Sequence, residues 1–264
     1  MKNYKWDAQE YEKHSQGQQK WARELIEKIS LKGTEKVLDL GCGDGKVTAE
    51  ISTIVSKGSI IGVDNSAGMI KLAKNRHSKF TYPNLSFQEM DAANLNFKNH
   101  FDLIFSNAVL HWVKDQKRVL KGIFKSLKQS GIVLIQMGGK GNAAGIIDVF
   151  SELQTEKNWN SYFKGFNSPF YFPETNEYEA IIKDCGLTLN RIELIPKKKE
   201  HEGIDSLKGW IRTTWLPYTQ RVPEAEREKF IDIASKKYIK KYSANSEDII
   251  NVQMIRLEVE AVKK

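Results

Sequence analysis

Short apolar runs recur through the first half of the chain, each closing on glycine, an acid or an amide. Val37-Leu38-Asp39-Leu40 runs into Gly41-Cys42-Gly43-Asp44-Gly45, and Ser59-Ile60-Ile61-Gly62-Val63 into Asp64. Leu85-Ser86-Phe87-Gln88-Glu89-Met90 gives way to Asp91-Ala92, and Phe101-Asp102-Leu103-Ile104-Phe105-Ser106 to Asn107. A fifth run, Ser130-Gly131-Ile132-Val133-Leu134-Ile135-Gln136-Met137, ends at Gly138. Runs this short, bounded by turn formers, predict strands buried on both faces. The intervening segments carry helical spacing. Lys46-Val47-Thr48-Ala49-Glu50 opens a helix directly after the glycines, and Ser66 caps another through Met69-Ile70-Lys71-Leu72-Ala73. Leu120, Phe124 and Leu127 mark one face of a third. Regular alternation of strand and helix predicts an α/β domain built on a parallel sheet.

Residues 7–30 predict a helix ahead of the first strand, with Trp21, Leu25, Ile26 and Ile29 on one stripe and Lys32-Gly33 as its stop. Beyond the fifth strand, Gly138-Gly139-Lys140-Gly141-Asn142 turns into a helix near 143–157. Aromatic residues then crowd together at Trp159, Tyr162, Phe163, Phe166, Phe170, Tyr171 and Phe172, broken by Gly165 and Pro169. Such a stretch suits either a lid over a pocket or packing against a core. A helix opens at Pro173-Glu174-Thr175 and reaches Cys185, capped by Gly186. Leu187, Leu189, Ile192 and Leu194 alternate as a sixth strand, and Ile255 to Ala261 as a half-buried seventh. The expected organisation is an N-terminal helical cap (1–30), a core (31–200) carrying a lid insertion (138–173), a helical insertion (203–245) and a final strand (246–264).

The 264 residues suffice for a proper core, and no apolar run approaches the length needed to span a bilayer. No hydrophobic leader segment opens the sequence, and the two cysteines, Cys42 and Cys185, have neither metal-ligand spacing nor a disulfide framework, so a cytoplasmic protein without a metal is expected. The formal charge of +8 raises the question of a polyanionic partner. Lys197-Lys198-Lys199 is flanked by Glu193, Glu200 and Glu202, while Lys236-Lys237 and Lys240-Lys241 recur at the spacing of a solvated helix face. Basic and aromatic residues do not interleave in the manner of an RNA platform, so no nucleic-acid partner is expected. A modest positive field also suits a small anionic substrate.

The chemistry concentrates in the glycine loop and the acids after it. Glycines on alternate positions between strand and helix allow a sharp turn with accessible N–H groups. The spacing is not that of a dinucleotide fingerprint, and no Gly-Lys-Ser/Thr follows to make a P-loop. Asp64, about twenty residues further on, stands where a carboxylate accepts hydrogen bonds from ribose hydroxyls.

Val37 to Gly45 resembles motif I of the class I S-adenosylmethionine-dependent methyltransferases, and the order of the four later strand ends matches that family. The resemblance implies a Rossmann-like, seven-stranded mixed sheet whose last strand is antiparallel, helices on both faces and a helical lid. It also implies the cofactor contacts. Gly41, Cys42 and Gly43 would face the amino-acid end of S-adenosylmethionine (product S-adenosylhomocysteine), Asp64 and Asn65 the ribose, Met69 the adenine face, and Asp91 and Ala92 the adenine edge. Asn107 and Leu110 would lie along the methionine and the methyl, with Tyr11 and Gln18 closing over the cofactor. At a finer level, FDLIFSNAVLHW, GIVLIQM, SPFYF, LKGWIRTTWLPY and VPEAEREKF are similar to trans-aconitate methyltransferases, and juvenile hormone acid methyltransferases share much of the pattern. Both groups methylate a carboxylate oxygen of a small molecule. His111 stands where the trans-aconitate enzymes carry Gln.

A carboxylate acceptor is already anionic near neutral pH, so no general base is assigned and His111 is read as a positioning or pocket-lining residue. The acceptor pocket is expected between Trp112, Met137, the aromatic stretch 159–172 and the 203–245 insertion with Arg212 and Trp215. Arg212 is either a carboxylate clamp or a surface residue of an amphipathic helix. A phenol, amine or lipid acceptor, or a non-catalytic cofactor-binding role, are the alternatives.

Overall fold

The computed structural model describes residues 16–242 and 248–264, with side chains from Gln19 onward. Helix α1 (Gln16–Ile26) precedes β1 (Lys36–Leu40), α2 (Lys46–Ile54), β2 (Ser59–Asp64), α3 (Ala67–Arg76), β3 (Leu85–Glu89) and β4 (Phe101–Asn107). Helix α4 (Gln116–Ser126), β5 (Leu127–Gly138), α5 (Ala144–Thr155), α6 (Thr175–Asp184) and β6 (Thr188–Glu202) follow. Helices α7 (Gly203–Thr214), α8 (Leu216–Thr219) and α9 (Glu224–Tyr242) lead to β7 (Ile249–Val262).

The strands form one seven-stranded sheet in the order β3-β2-β1-β4-β5-β7-β6. β1 pairs in parallel with β2 and β4, β2 with β3, and β4 with β5, whereas β7 runs antiparallel to β5 from Ile132↔Val262 to Gly138↔Arg256. This is the mixed sheet expected above. Strand order reverses between β1 and β4, the position where open α/β sheets leave a crevice beyond their carboxyl ends.

Burial on both faces explains the apolar runs. Val37, Leu38 and Leu40 of β1 are at most 1% exposed, because helices cover the sheet on each side. On one face Leu38, Leu40, Ile104, Val133 and Ile135 pack with Val119, Leu120 and Ile123 of α4 and with Tyr178 and Ile182 of α6. On the other, Val37, Leu103, Phe105 and Leu134 pack with Ala22 and Leu25 of α1, Ala49 and Ile51 of α2, and Ile70 and Ala73 of α3. Each buried Leu or Ile contributes about 1.5–3 kcal/mol relative to an exposed one.

The chain divides into two compact units. A sheet unit comprises residues 17–140, 170–195 and 256–264, and a helical unit takes residues 141–169 and 196–255. The aromatic stretch, expected either as a lid or as core packing, is divided at Pro169/Phe170. Within the helical unit Phe150 stacks on Tyr218 at 4.5 Å, and Trp159, Phe163 and Phe230 join them, so the first half of the stretch is core. The second half belongs to the sheet unit. Both late strands are longer than their alternation predicts: β6 extends to Glu202 and β7 begins at Ile249.

Candidate active site

All five parallel strands deliver their carboxyl ends to the same edge of the sheet, where the glycine loop, Asp64, Asp91 and Asn107 stand. The Gly41 and Cys42 N–H groups both donate to the Val63 carbonyl, at 2.7 and 2.9 Å, which ties the glycine loop to the end of β2. Gly41 has φ +84°, and a Cβ there would meet the Val109 side chain at 2.2 Å. Gly43 has φ +52°, and a Cβ there would meet nothing within 4 Å. The first glycine is required by packing. The second sits at an open backbone face of the kind a ligand can approach.

Asp64 turns its carboxylate into this loop. Its Oδ2 accepts from the Gly43 N–H at 3.1 Å and its Oδ1 from the Ser66 N–H at 2.9 Å. Burial raises its pKa, and the two backbone bonds oppose that shift. Each oxygen retains acceptor capacity, which suits a pair of ribose hydroxyls. Asn65 follows, and Ser66 caps α3 by accepting from the Met69 N–H at 3.3 Å. The same turn buries Met69 to 5% exposure. The Met90 N–H donates to the Asp64 carbonyl at 2.9 Å, drawing the end of β3 alongside. There Asp91 caps a short 3-10 turn through Ala93 N–H→Oδ1 at 2.9 Å and leaves Ala92 buried.

Beyond Asn107, Ala108 takes φ +60° and donates its N–H to the Gln136 carbonyl at 2.8 Å. The backbone thereby turns over the edge into the 3-10 turn Leu110–Trp112. Leu110 is fully buried, and its carbonyl accepts from Gln116 Nε2 at 2.8 Å. His111 is buried as well. Its Nδ1 accepts from the Gly138 N–H at 3.4 Å, and its carbonyl accepts from the Tyr171 N–H at 2.8 Å. Burial, and then the nearby Arg256 charge, hold its pKa well below the ordinary histidine value. The ring is therefore neutral, with its proton on Nε2. Trp112, His111, Phe170 and Phe172 form one aromatic group, with Trp112 edge-on to Phe170 at 4.6 Å and Phe170 stacked on Phe172 at 5.5 Å.

Three charged residues of this region escaped the sequence reading. Asp39, inside β1, is 2% exposed and accepts from Thr48 Oγ1 at 2.7 Å. Burial pushes its pKa up to about 7, the Thr48 bond opposes that, and Asp64 adds to it. An acid within an apolar run was the available signal. Arg256 is 3% exposed, stands opposite Gly138 in the β5–β7 ladder and lies over the Trp21 ring at 5.4 Å. Two residues along the same strand face, the buried Glu258 is held by Lys28, by Arg191 at 3.1 Å and by Gln136 at 2.9 Å. Their signal was concealed, because alternation in 255–261 reads as a strand with one wet face.

The residues expected around the acceptor fall in both units. Met137 is fully buried in the core of the sheet unit, a packing position rather than an open pocket wall. In the helical unit Trp215 is 2% exposed beside Phe150 and Trp210. Arg212 forks onto Glu228, Nε to Oε1 at 2.7 Å and Nη2 to Oε2 at 2.5 Å. Tyr11 lies outside the described residues, and Gln18 belongs to α1 by its backbone. A cavity of about 640 Å³ lies at the opposite edge of the sheet, lined by Lys28, Glu35, Asp102 and Lys128, away from the glycine loop.

Comparison with known proteins agrees with this geometry. A family model described as a methyltransferase domain matches residues 31–201. The trans-aconitate 2-methyltransferase of Rhizobium etli is 25% identical over 98% of this chain and 99% of its own. The malonyl-[acyl-carrier protein] O-methyltransferase of Bacillus anthracis is 30% identical over 60% of this chain and 59% of its own. Among solved structures, phosphoethanolamine N-methyltransferase 2 of Haemonchus contortus, in complex with phosphomonomethylethanolamine and S-adenosylhomocysteine, superposes with a TM-score of 0.62 at 20% identity, covering 97% of this chain and 56% of that one. An open glycine turn, an acid at the end of β2 and a capped acid after β3 fit an adenosine and its amino-acid tail. The chain belongs to the methyltransferase-domain family and is an S-adenosylmethionine-dependent methyltransferase.

Proposed function

We propose that the enzyme transfers a methyl group to a carboxylate oxygen of a small organic acid. One observation carries the reading: the imidazole at the acceptor side is kept neutral and spends its lone pair on a backbone N–H. Such a histidine does not remove a proton from a phenol or an ammonium group, so it suits an acceptor that is already anionic. A carboxylate is ionised above about pH 5 and needs none removed. The relatives named for trans-aconitate and for malonyl-[acyl-carrier protein] support the same class.

The chemistry a bound S-adenosylmethionine supplies is an activated methyl on a sulfonium. Gly41, Cys42 and Gly43 would take its amino-acid end, Asp64 with Asn65 the ribose, and Met69, Asp91 and Ala92 the adenine. Asn107 and Leu110 would lie along the methionine chain. His111 Nε2–H can orient an acceptor oxygen, while Trp112, Phe170 and Phe172 keep water out. Dryness matters here, because anion and sulfonium neutralise each other in the transition state and a less polar surrounding favours that step. The test is a panel of carboxylic acids incubated with methyl-labelled cofactor. A base-labile methyl ester is expected, and turnover confined to amines or phenols would refute the reading.

A further inference from the structure

We propose that Gln116 and Tyr178 form a positioning pair that sets the 3-10 turn Leu110–Trp112, and with it the groups that His111 and Trp112 present to the acceptor. The inference rests on reading that turn as the acceptor side of the site, not on the chemical class of the acceptor. Gln116 opens α4 and is 2% exposed. Its amide folds back over the turn. Nε2 donates to the Leu110 carbonyl at 2.8 Å and to the Val113 carbonyl, so both amide hydrogens are committed. Oε1 accepts from the Tyr178 hydroxyl at 3.0 Å, which α6 brings in from 62 residues further along the chain.

The hydroxyl fixes which way the amide faces. Turned over, the amide would set its oxygen against two carbonyl oxygens and lose the phenolic donor. Leu110, Val113, Val119, Leu120 and Ile182 surround the pair in one apolar cluster, where an apolar pair would fill the space without desolvating polar groups. An apolar pair could not hold the carbonyls of the turn. The segment leading into α6 grips the same turn again, since the Tyr171 N–H donates to the His111 carbonyl at 2.8 Å. The Tyr171 hydroxyl in turn donates to Glu177 Oε1 at 2.6 Å, in the first turn of α6. With the Gly138 N–H on Nδ1, Nε2 is the ring atom left to meet an acceptor oxygen. A misplacement of about 1 Å at such a group costs up to about 100-fold in rate, so the pair acts on kcat.

The test is a double-variant cycle on methyl transfer to trans-aconitate or, if that is not a substrate, to whichever acid, amine or phenol the wild type methylates fastest. Tyr178→Phe removes one oxygen and should lower kcat roughly 10-fold, and Gln116→Met about 10–100-fold. The double variant should lose no more than Gln116→Met alone, because the tyrosine acts through the amide. S-adenosylhomocysteine affinity, read by calorimetry, should stay within about threefold in all of them. Ile182→Val, in the same cluster one turn along α6, is the packing control and should keep kcat. If Gln116→Met does not fold, Gln116→Glu takes its place, with a loss at least as large, since an oxygen then faces two carbonyls. Unchanged kcat in Tyr178→Phe, losses that multiply in the double variant, an equal loss in Ile182→Val, or cofactor affinity falling as far as kcat would overturn the inference. Turnover confined to amines or phenols would instead sink carboxyl methylation and leave this test intact. If the wild type methylates nothing offered, nitrogen NMR of the His111 ring decides. A fixed Nε2–H tautomer that becomes mixed in Tyr178→Phe supports the pair, and an unchanged spectrum overturns it.

Discussion

Asp64 holds its place through two backbone N–H groups, so replacing it changes the ligand contact more than the loop's course. Asp64→Ala should weaken S-adenosylhomocysteine binding by about 1.5–3 kcal/mol, the loss for hydrogen bonds to a charged acceptor, read by calorimetry on a variant whose unfolding is near normal. Unchanged affinity would remove Asp64 from the cofactor site. His111 makes a sharper case. Being neutral throughout the physiological range, it should leave no inflection near pH 6.5 in kcat. His111→Gln keeps an acceptor for the Gly138 N–H and should retain turnover within about tenfold, whereas His111→Phe leaves that donor unmet at a cost of about 1–3 kcal/mol. A kcat that follows a single ionisation near pH 6.5 and loses it in the Gln variant would make His111 a base after all. At this scale the sequence announced residues that punctuate: glycines that turn, and acids that end strands. It could not announce Arg256 or Glu258, whose answering groups Trp21, Lys28 and Arg191 lie far away along the chain.

Strand β7 shows what an alternating pattern leaves open. Val259 and Ala261 face a core, as the period predicts, but the opposite face bearing Arg256 and Glu258 is covered as well. Period reports which residues share a face, not whether that face is wet. Burial raises the Glu258 carboxyl, yet the bonds from Lys28 and Arg191 outweigh it and hold its pKa below the ordinary value. Glu258→Gln should therefore cost about 1–3 kcal/mol in urea unfolding, since two cations lose their acceptor. Lys28→Met should cost clearly less, because the Lys28 side chain is 35% exposed and Arg191 remains. Equal losses from the two changes would mean that Lys28 alone secures the carboxylate. The aromatic stretch carries a related lesson. Composition marked it as packing material, and only the tertiary arrangement assigned Trp159 and Phe163 to one core and Phe170 and Phe172 to the surroundings of His111.

For the molecule as a whole, one buried acid sets a pH signature. Asp39 titrates at about 7 when folded and near 3.9 when unfolded, so between those values the folded chain binds more protons. The stability this confers is complete below about pH 4, declines as pH rises and is gone above about pH 7. Urea midpoints of the wild type should fall relative to Asp39→Asn across that window. Parallel curves would place the Asp39 titration elsewhere. The sheet architecture was legible because four strand-end motifs in order admit few topologies.

The position of β7 also governs the order in which the protein can be completed during synthesis. It lies between β5 and β6, yet both of those leave the ribosome first. Until residues 249–262 emerge, the nascent chain carries its glycine loop and its acids but has two open strand edges where a partner strand belongs. Such edges invite pairing with other chains. Nascent or prematurely terminated products ending before β7 should thus be the species most in need of a chaperone, and the arginine opposite Gly138 arrives only with the strand that closes the sheet.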